Sequence, residues 1–235
     1  MTYLTALVRN RTVQQLVLFT ICQNLLWWLA GATTSTGHAL TWIVKLCLVG
    51  YGALLAAGYF LILRHRFSSS LGPLLVVGAA TFGILAAPNN HLVQLFALLL
   101  CIFLVLTTIP QLGLQSGYGL VVFSCLAGVG VPVILFFLRN HYLSSQFLLT
   151  LVPIVASYFA FFAAYYFPEP HDWRLTLIAL IGFALVTLIL AFSWQSLIAI
   201  VLTGIHWWLQ RHLKGPYRLV LSGSLQLIVG YLIIQ

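Results

Sequence analysis

Few side chains in this 235-residue chain are suited to chemistry, and their placement is unusual. The only carboxylates are Glu169 and Asp172, both in the segment Phe167-Pro168-Glu169-Pro170-His171-Asp172-Trp173. No long apolar run contains an acid. Intramembrane acids are costly and kept for work, so a proton- or sodium-coupled carboxylate relay is disfavoured. Paired-carboxylate hydrolysis inside such runs is excluded. Glu169, His171 and Asp172 together offer oxygen and nitrogen ligands for a divalent cation. A solvated turn stiffened by Pro168 and Pro170 beside Arg174 explains the same residues more simply, and no metal site is expected.

The seven histidines do not form a site either. His38, His65, His91, His141, His171 and His212 fall between or at the ends of apolar runs. His206 alone falls within one. A haem held by two histidines needs a second ligand at matching depth, so no cofactor is expected. Serine-nucleophile chemistry lacks an elbow such as G-x-S-x-G, and no catalytic residue is assigned. Cys22, Cys47, Cys101 and Cys125 lie inside apolar runs without close spacing, as small packing residues do.

Neutral amides remain. Gln14, Gln15, Gln23 and Asn24 crowd the first apolar run, while Gln94, Gln195 and Gln226 are scattered through later ones. In lipid an amide seeks a partner across helices, worth about 0.6–2 kcal/mol, so the same residues serve helix pairing or line a solute path. Pro132 and Pro153 interrupt two central runs, with Gly128 and Gly130 just before Pro132. A helical proline removes a backbone hydrogen bond and bends the helix, and freed carbonyls can line a cavity. A pathway, if present, is expected beside the first, fifth and sixth helices, with Gln15, Gln23, Asn24 and Pro132 as substrate-binding residues.

The elements that must position these residues follow from composition. The chain is 62% apolar and 5% charged, with a mean hydropathy of +1.09. Its apolar runs reach the roughly 18–20 residues that cross a bilayer, and they are apolar on all sides, which a barrel strand is not. The fold class is therefore all-α: a polytopic bundle forming one integral membrane domain over residues 1–235, with about nine spans. The expected helices are Thr12–Ala30, Ala39–Leu63, Leu71–Ala87, Leu92–Ile109, Tyr118–Leu138, Ser144–Phe167, Arg174–Phe192, Gln195–Gln210 and Tyr217–Gln235. The seventh and eighth are separated only at Ser193–Trp194. The first run follows Arg9 and Arg11 and lacks a cleavage site, so it is read as a retained helix.

With the N-terminus inside, Arg9, Arg11, Arg64, Arg66, Arg174, Arg211, Lys214 and Arg218 fall on the cytoplasmic side, and only Lys45 and Arg139 on the other. The net charge of +8 is thus topological information, and its dispersal excludes a nucleic-acid face. Lys45 is expected to snorkel to the interface. Trp27, Trp28, Trp42, Trp173, Trp194, Trp207 and Trp208 all stand near expected span ends, where indoles prefer to lie.

Two segments echo each other. Gln15 precedes Trp27-Trp28-Leu29 as Gln195 precedes Trp207-Trp208-Leu209. Lys45-Leu46-Cys47-Leu48-Val49-Gly50 likewise matches Arg218-Leu219-Val220-Leu221-Ser222-Gly223. Helices one and two would then be an inverted repeat of helices eight and nine, an architecture common in secondary transporters. Chance similarity among apolar helices with interfacial tryptophans is the competing explanation.

The stretch Arg9-Asn10-Arg11-Thr12-Val13-Gln14-Gln15, leading to Trp27-Trp28-Leu29-Ala30-Gly31, resembles the YgjV-type bacterial inner-membrane family. So do Ser193-Trp194-Gln195-Ser196-Leu197 and Leu213-Lys214-Gly215 with Arg218. Pro110-Gln111, followed by Ser116, Gly119 and Leu120, resembles the motif of PQ-loop (SWEET-like) transporters. The spacing after Gln111 is shorter than in those proteins, and no second Pro-Gln pair occurs. The resemblance implies a multi-pass protein of the bacterial inner membrane, and it adds Pro110 and Gln111 to the substrate-binding candidates. Two functions are therefore expected: a permease for a small polar solute, or a non-transporting scaffold or accessory subunit. The lipid bilayer is a partner in both. A second copy of the chain, as a homo-oligomer, or a membrane partner subunit is a further candidate partner under either function.

Overall fold

The computed structural model describes residues 10–33, 37–167, 173–212 and 217–235. The Glu169/His171/Asp172 segment and Leu213-Lys214-Gly215 lie outside the described residues, as does Arg9. Nine helices are formed among those described: α1 (Arg11–Gly31), α2 (Trp42–Arg64), α3 (Leu71–Ala86), α4 (His91–Leu106), α5 (Gly117–Asn140), α6 (Ser145–Tyr166), α7 (Trp173–Leu190), α8 (Trp194–His212) and α9 (Tyr217–Ile234). They coincide with the nine expected runs to within a few residues at each end, including the tight break between α7 and α8. A short 3-10 turn, Pro110–Leu112, joins α4 to α5.

Six of the nine, α1, α2, α5, α6, α7 and α9, are long and apolar enough to cross a membrane. α3 and α4 have 16 residues each. That is about 24 Å of helix, short of about 30 Å of hydrocarbon. α8 has 19 residues but buries Ser196, Thr203, His206 and Gln210, so it is less apolar overall.

Polar side chains begin several helices by accepting a first-turn N–H. Asn10 accepts from the Thr12 amide at 3.0 Å, Asn90 from Val93 at 3.2 Å and Ser144 from Phe147 at 3.1 Å. α2 ends in a turn in which Arg66 has φ 49° and the Phe67 N–H reaches back to the Ile62 carbonyl at 2.7 Å. This delivers the Phe67 ring into the core against Tyr166, with centroids 5.1 Å apart.

Close approach depends on small residues, as expected where neighbouring helices gain little from excluding lipid. A Cβ on Gly58 of α2 would meet Val76 at 2.6 Å, and one on Gly72 of α3 would meet Ile62 at 2.5 Å. On α9, Gly223 faces Phe19 and Gly230 faces Leu26, both on α1. The matching order of these pairs shows that α1 and α9 run parallel. A buried aromatic cluster fills the bundle: Phe19 lies 5.0 Å from Tyr59 and 5.2 Å from Phe60, and Phe123 lies 5.6 Å from Phe162.

The end where α1 begins also holds the end of α2, the end of α6 and the start of α9. Arg64 donates to Gln15 there, Tyr166 packs on Phe67, and Tyr165 meets Ser222. This near end carries Arg11, Arg64, Arg66, Arg174, Arg211 and Arg218, while Lys45 and Arg139 stand at the far end. The asymmetry read from sequence thus has a geometric counterpart.

One expectation is corrected. Trp27 is not interfacial: it is 1% exposed, and its indole N–H donates to the Ala127 carbonyl at 2.9 Å. The reason lies in α5, where Leu126–Gly130 forms a π turn before Pro132. In that register the Ala127 carbonyl would look five residues ahead, to Pro132, which has no N–H. Trp27 supplies the missing donor.

Candidate functional site

α9 carries Arg218, Ser222 and Gln226 at intervals of four residues, so the three stand one above another on one face. Eight residues of helix separate the first from the last, about 12 Å. The stripe starts at the near end and finishes close to the middle of α9. At each level, α6, α8 or α1 answers it with polar groups.

At the inner level, Gln226 meets Gln23 of α1. The Gln23 amide nitrogen donates to Gln226 Oε1 at 2.8 Å, and the Tyr158 hydroxyl donates to Gln23 Oε1 at 2.8 Å. The Gln226 nitrogen in turn reaches Ser157 Oγ at 3.4 Å. Gln23, Tyr158, Ser157 and Gln226 are each 0% exposed. Their helices are crossed near their middles, beside the aromatic cluster. An amide pair this deep must be satisfied internally, and both Gln23 terminal atoms are.

One turn nearer the end, Ser222 is the hub. Its hydroxyl donates to the Arg218 carbonyl at 2.9 Å and accepts from Gln210 Nε2 at 3.0 Å. His206 Nε2 lies 3.0 Å away and the Tyr165 hydroxyl 3.3 Å away. A serine hydroxyl has one proton and two lone pairs, so after these two bonds His206 and Tyr165 compete for one remaining place. Gln210 also donates to the Phe161 carbonyl at 3.3 Å, and the His206 ring stacks on Phe161 with centroids 4.2 Å apart.

At the outer level, Arg218 lies over the Tyr165 ring at 6.0 Å, and its Nε is buried without a hydrogen-bond partner. The hydroxyls of Tyr59 and Tyr166, in the adjoining aromatic cluster, are likewise buried and unpartnered. What the arrangement offers is hydrogen bonding, chiefly by donors, with one fixed cation.

The residues singled out from sequence are distributed unevenly around this stripe. Gln23 is central to it. Pro132 is buried and joins it only indirectly, through the Ala127 carbonyl held by Trp27, one turn along α1 from Gln23. Gln15 is buried at the near end, where its side-chain oxygen accepts from Arg64 at 3.0 Å. Asn24 points away from the stripe and toward α2, where it donates to the Val49 carbonyl at 3.3 Å, packs on Gly52 and lines an outward groove. Pro110 and Gln111 are exposed on the α4–α5 turn and touch none of these groups. Tyr158, Tyr165, Gln210 and Ser222 were not anticipated. The interval of four from Arg218 through Ser222 to Gln226 was the readable signal.

No family model, no curated protein and no solved structure matches this chain.

Proposed function

We propose that this multi-pass membrane protein is a permease for a small polar solute, working without an intramembrane carboxylate. The observation behind the reading is the stripe Arg218–Ser222–Gln226, which leads from one end of the bundle to the Gln23–Gln226–Tyr158 cluster near its middle. That level is also where α5 carries its π turn, and binding sites of transporters favour mid-membrane breaks in helices. Arg218 is the charged residue of the stripe, so like-charge repulsion disfavours cations and selects a neutral or anionic solute. Solute groups would exchange hydrogen bonds with Gln23, Gln226 and Ser222.

The helix directions agree with an inverted pair of repeats. α9 runs parallel to α1, and α8, joined to α9 by a short connection and meeting Ser222 through both His206 and Gln210, runs the opposite way. The echoing segments of α1 and α8 therefore have opposite sense, as a pair in inverted topology requires. In this reading all nine helices cross or enter a bacterial inner membrane. The arginine-rich near end and the N-terminus are cytoplasmic. Kinship with the YgjV-type and PQ-loop families is part of the same proposal.

A second reading, a non-transporting scaffold or accessory subunit, is favoured by one specific observation: the amide atoms of Gln23 are saturated by protein partners, as helix-pairing residues are. Uptake into liposomes holding the full chain separates the two. Sugars, amino acids and vitamins are screened, with Gln23→Leu and Gln226→Leu as controls. Saturable flux abolished in both variants is the expected result. No flux for any of these solutes, from protein shown to be folded and inserted, would overturn the permease and leave the accessory role.

A further inference from the structure

A groove of about 510 Å³ opens on the outward face of α1 and α2, away from the polar stripe. Its walls are apolar: Ile21 and Leu25 from α1, Leu46 and Val49 from α2, each between 46% and 55% exposed. At the far end of the bundle the groove is closed by Trp28, Trp42 and Lys45. At its inner end stand Ala53, Asn24 and Thr20, whose hydroxyl is buried without a hydrogen-bond partner.

Three features of this groove point to one kind of occupant. Its length is set by eight residues of α1, from Thr20 to Trp28, and eleven of α2, from Trp42 to Ala53. That is about 12–16 Å of helix, close to half of a hydrocarbon core of about 30 Å. The groove therefore spans one leaflet. Its walls are bulky, whereas surfaces that receive another helix in lipid are rich in small residues. Its mouth has a cation and two tryptophans at interfacial height, the combination that meets a headgroup. Lys45 forms no ion pair among the described residues. The only two acids of the chain, Glu169 and Asp172, are more than 120 residues from Lys45 in sequence.

We propose that this groove binds one anionic phospholipid of the leaflet at the far end. An acyl chain lies along Ile21, Leu25, Leu46 and Val49, and the headgroup phosphate rests on Lys45 between Trp28 and Trp42. In the orientation proposed above this is the outer leaflet. The site is independent of the solute stripe, because Asn24 and Gln23, adjacent in sequence, point about 100° apart around α1.

The test is native mass spectrometry of the full chain, delipidated and titrated with phosphatidylglycerol or phosphatidylcholine of identical acyl chains. Lys45→Gln is expected to weaken phosphatidylglycerol binding about fivefold while leaving phosphatidylcholine unchanged, the effect of one interfacial lysine. Lys45→Arg should retain it. Val49→Trp, which fills the groove without touching the backbone bond from Asn24, should weaken both lipids. Unchanged phosphatidylglycerol binding in Lys45→Gln would overturn the headgroup assignment, and unchanged binding of both lipids in Val49→Trp would overturn the groove. Disulfide trapping of two copies through Ile21→Cys and Leu46→Cys in bilayers would show a second copy in the groove and overturn the lipid.

Discussion

Replacing Gln23 by leucine removes both terminal atoms of the innermost amide while keeping side-chain volume similar. Two hydrogen bonds are lost, to Gln226 at 2.8 Å and from Tyr158 at 2.8 Å. Interhelical hydrogen bonds in membranes average about 0.6 kcal/mol and reach about 1.7. The direct loss from two bonds is therefore about 1–3 kcal/mol. The Gln226 carbonyl and the Tyr158 hydroxyl are then stranded at 0% exposure, and an unmet buried group costs about 1–3 kcal/mol. Part of that second cost is already counted in the first, so Gln23→Leu should destabilise the fold by about 2–4 kcal/mol.

Gln226→Leu breaks the same central bond and the long contact to Ser157, so its cost should be similar. The double variant removes both partners at once and leaves no unpaired amide. It should be less destabilising than the sum of the two by about 1 kcal/mol or more, the coupling expected of residues in direct contact. The assay is reversible unfolding in mixed micelles followed by tryptophan fluorescence, run as a double-mutant cycle. Additivity within about 0.3 kcal/mol would refute the pairing on which both the fold and the proposed site rest.

Trp27→Phe should cost about 1–2 kcal/mol by leaving the Ala127 carbonyl without a donor, and Pro132→Ala should recover part of that loss by supplying an N–H to the π turn, read by the same unfolding assay. Ser222→Ala removes one acceptor of Gln210, which keeps the Phe161 carbonyl, and the one place that His206 and Tyr165 share, and should cost about 1–3 kcal/mol, whereas Ser68→Ala, at an exposed turn, should stay within about 0.5 kcal/mol. Gly223→Ala puts a methyl 2.6 Å from the Phe19 ring and should destabilise by about 1–3 kcal/mol, while Gly204→Ala, with nothing within 4 Å, should be neutral or stabilising by up to about 1 kcal/mol, as a difference in thermal midpoint would show.

The helices were legible because hydropathy and helix breakers are local. Asn10, Pro110, Asn90 and the Ser193–Trp194 break all mark boundaries that the structure respects. Span count was less legible: α3 and α4 read as apolar runs, yet at 16 residues each is shorter than a full crossing. Trp27 was misread because its position near the end of α1 says nothing about which face it occupies. The donor it supplies answers a defect in α5, one hundred residues away in sequence.

The amides show the same division between what is local and what is not. Counting polar residues in the first helix grouped Gln23 with Asn24, but neighbours on a helix diverge by about 100°. One joined the bundle's centre and the other its lipid-facing groove. The interval of four on α9 is helical periodicity and could have been read from sequence. Its partners could not: Tyr158, Tyr165, His206 and Gln210 come from two other helices, and only packing decides which of their faces meet α9. Inward of Arg218 the stripe is uncharged, and there glutamine, serine and tyrosine satisfy one another without the desolvation penalty that a buried ion carries in a low-dielectric interior.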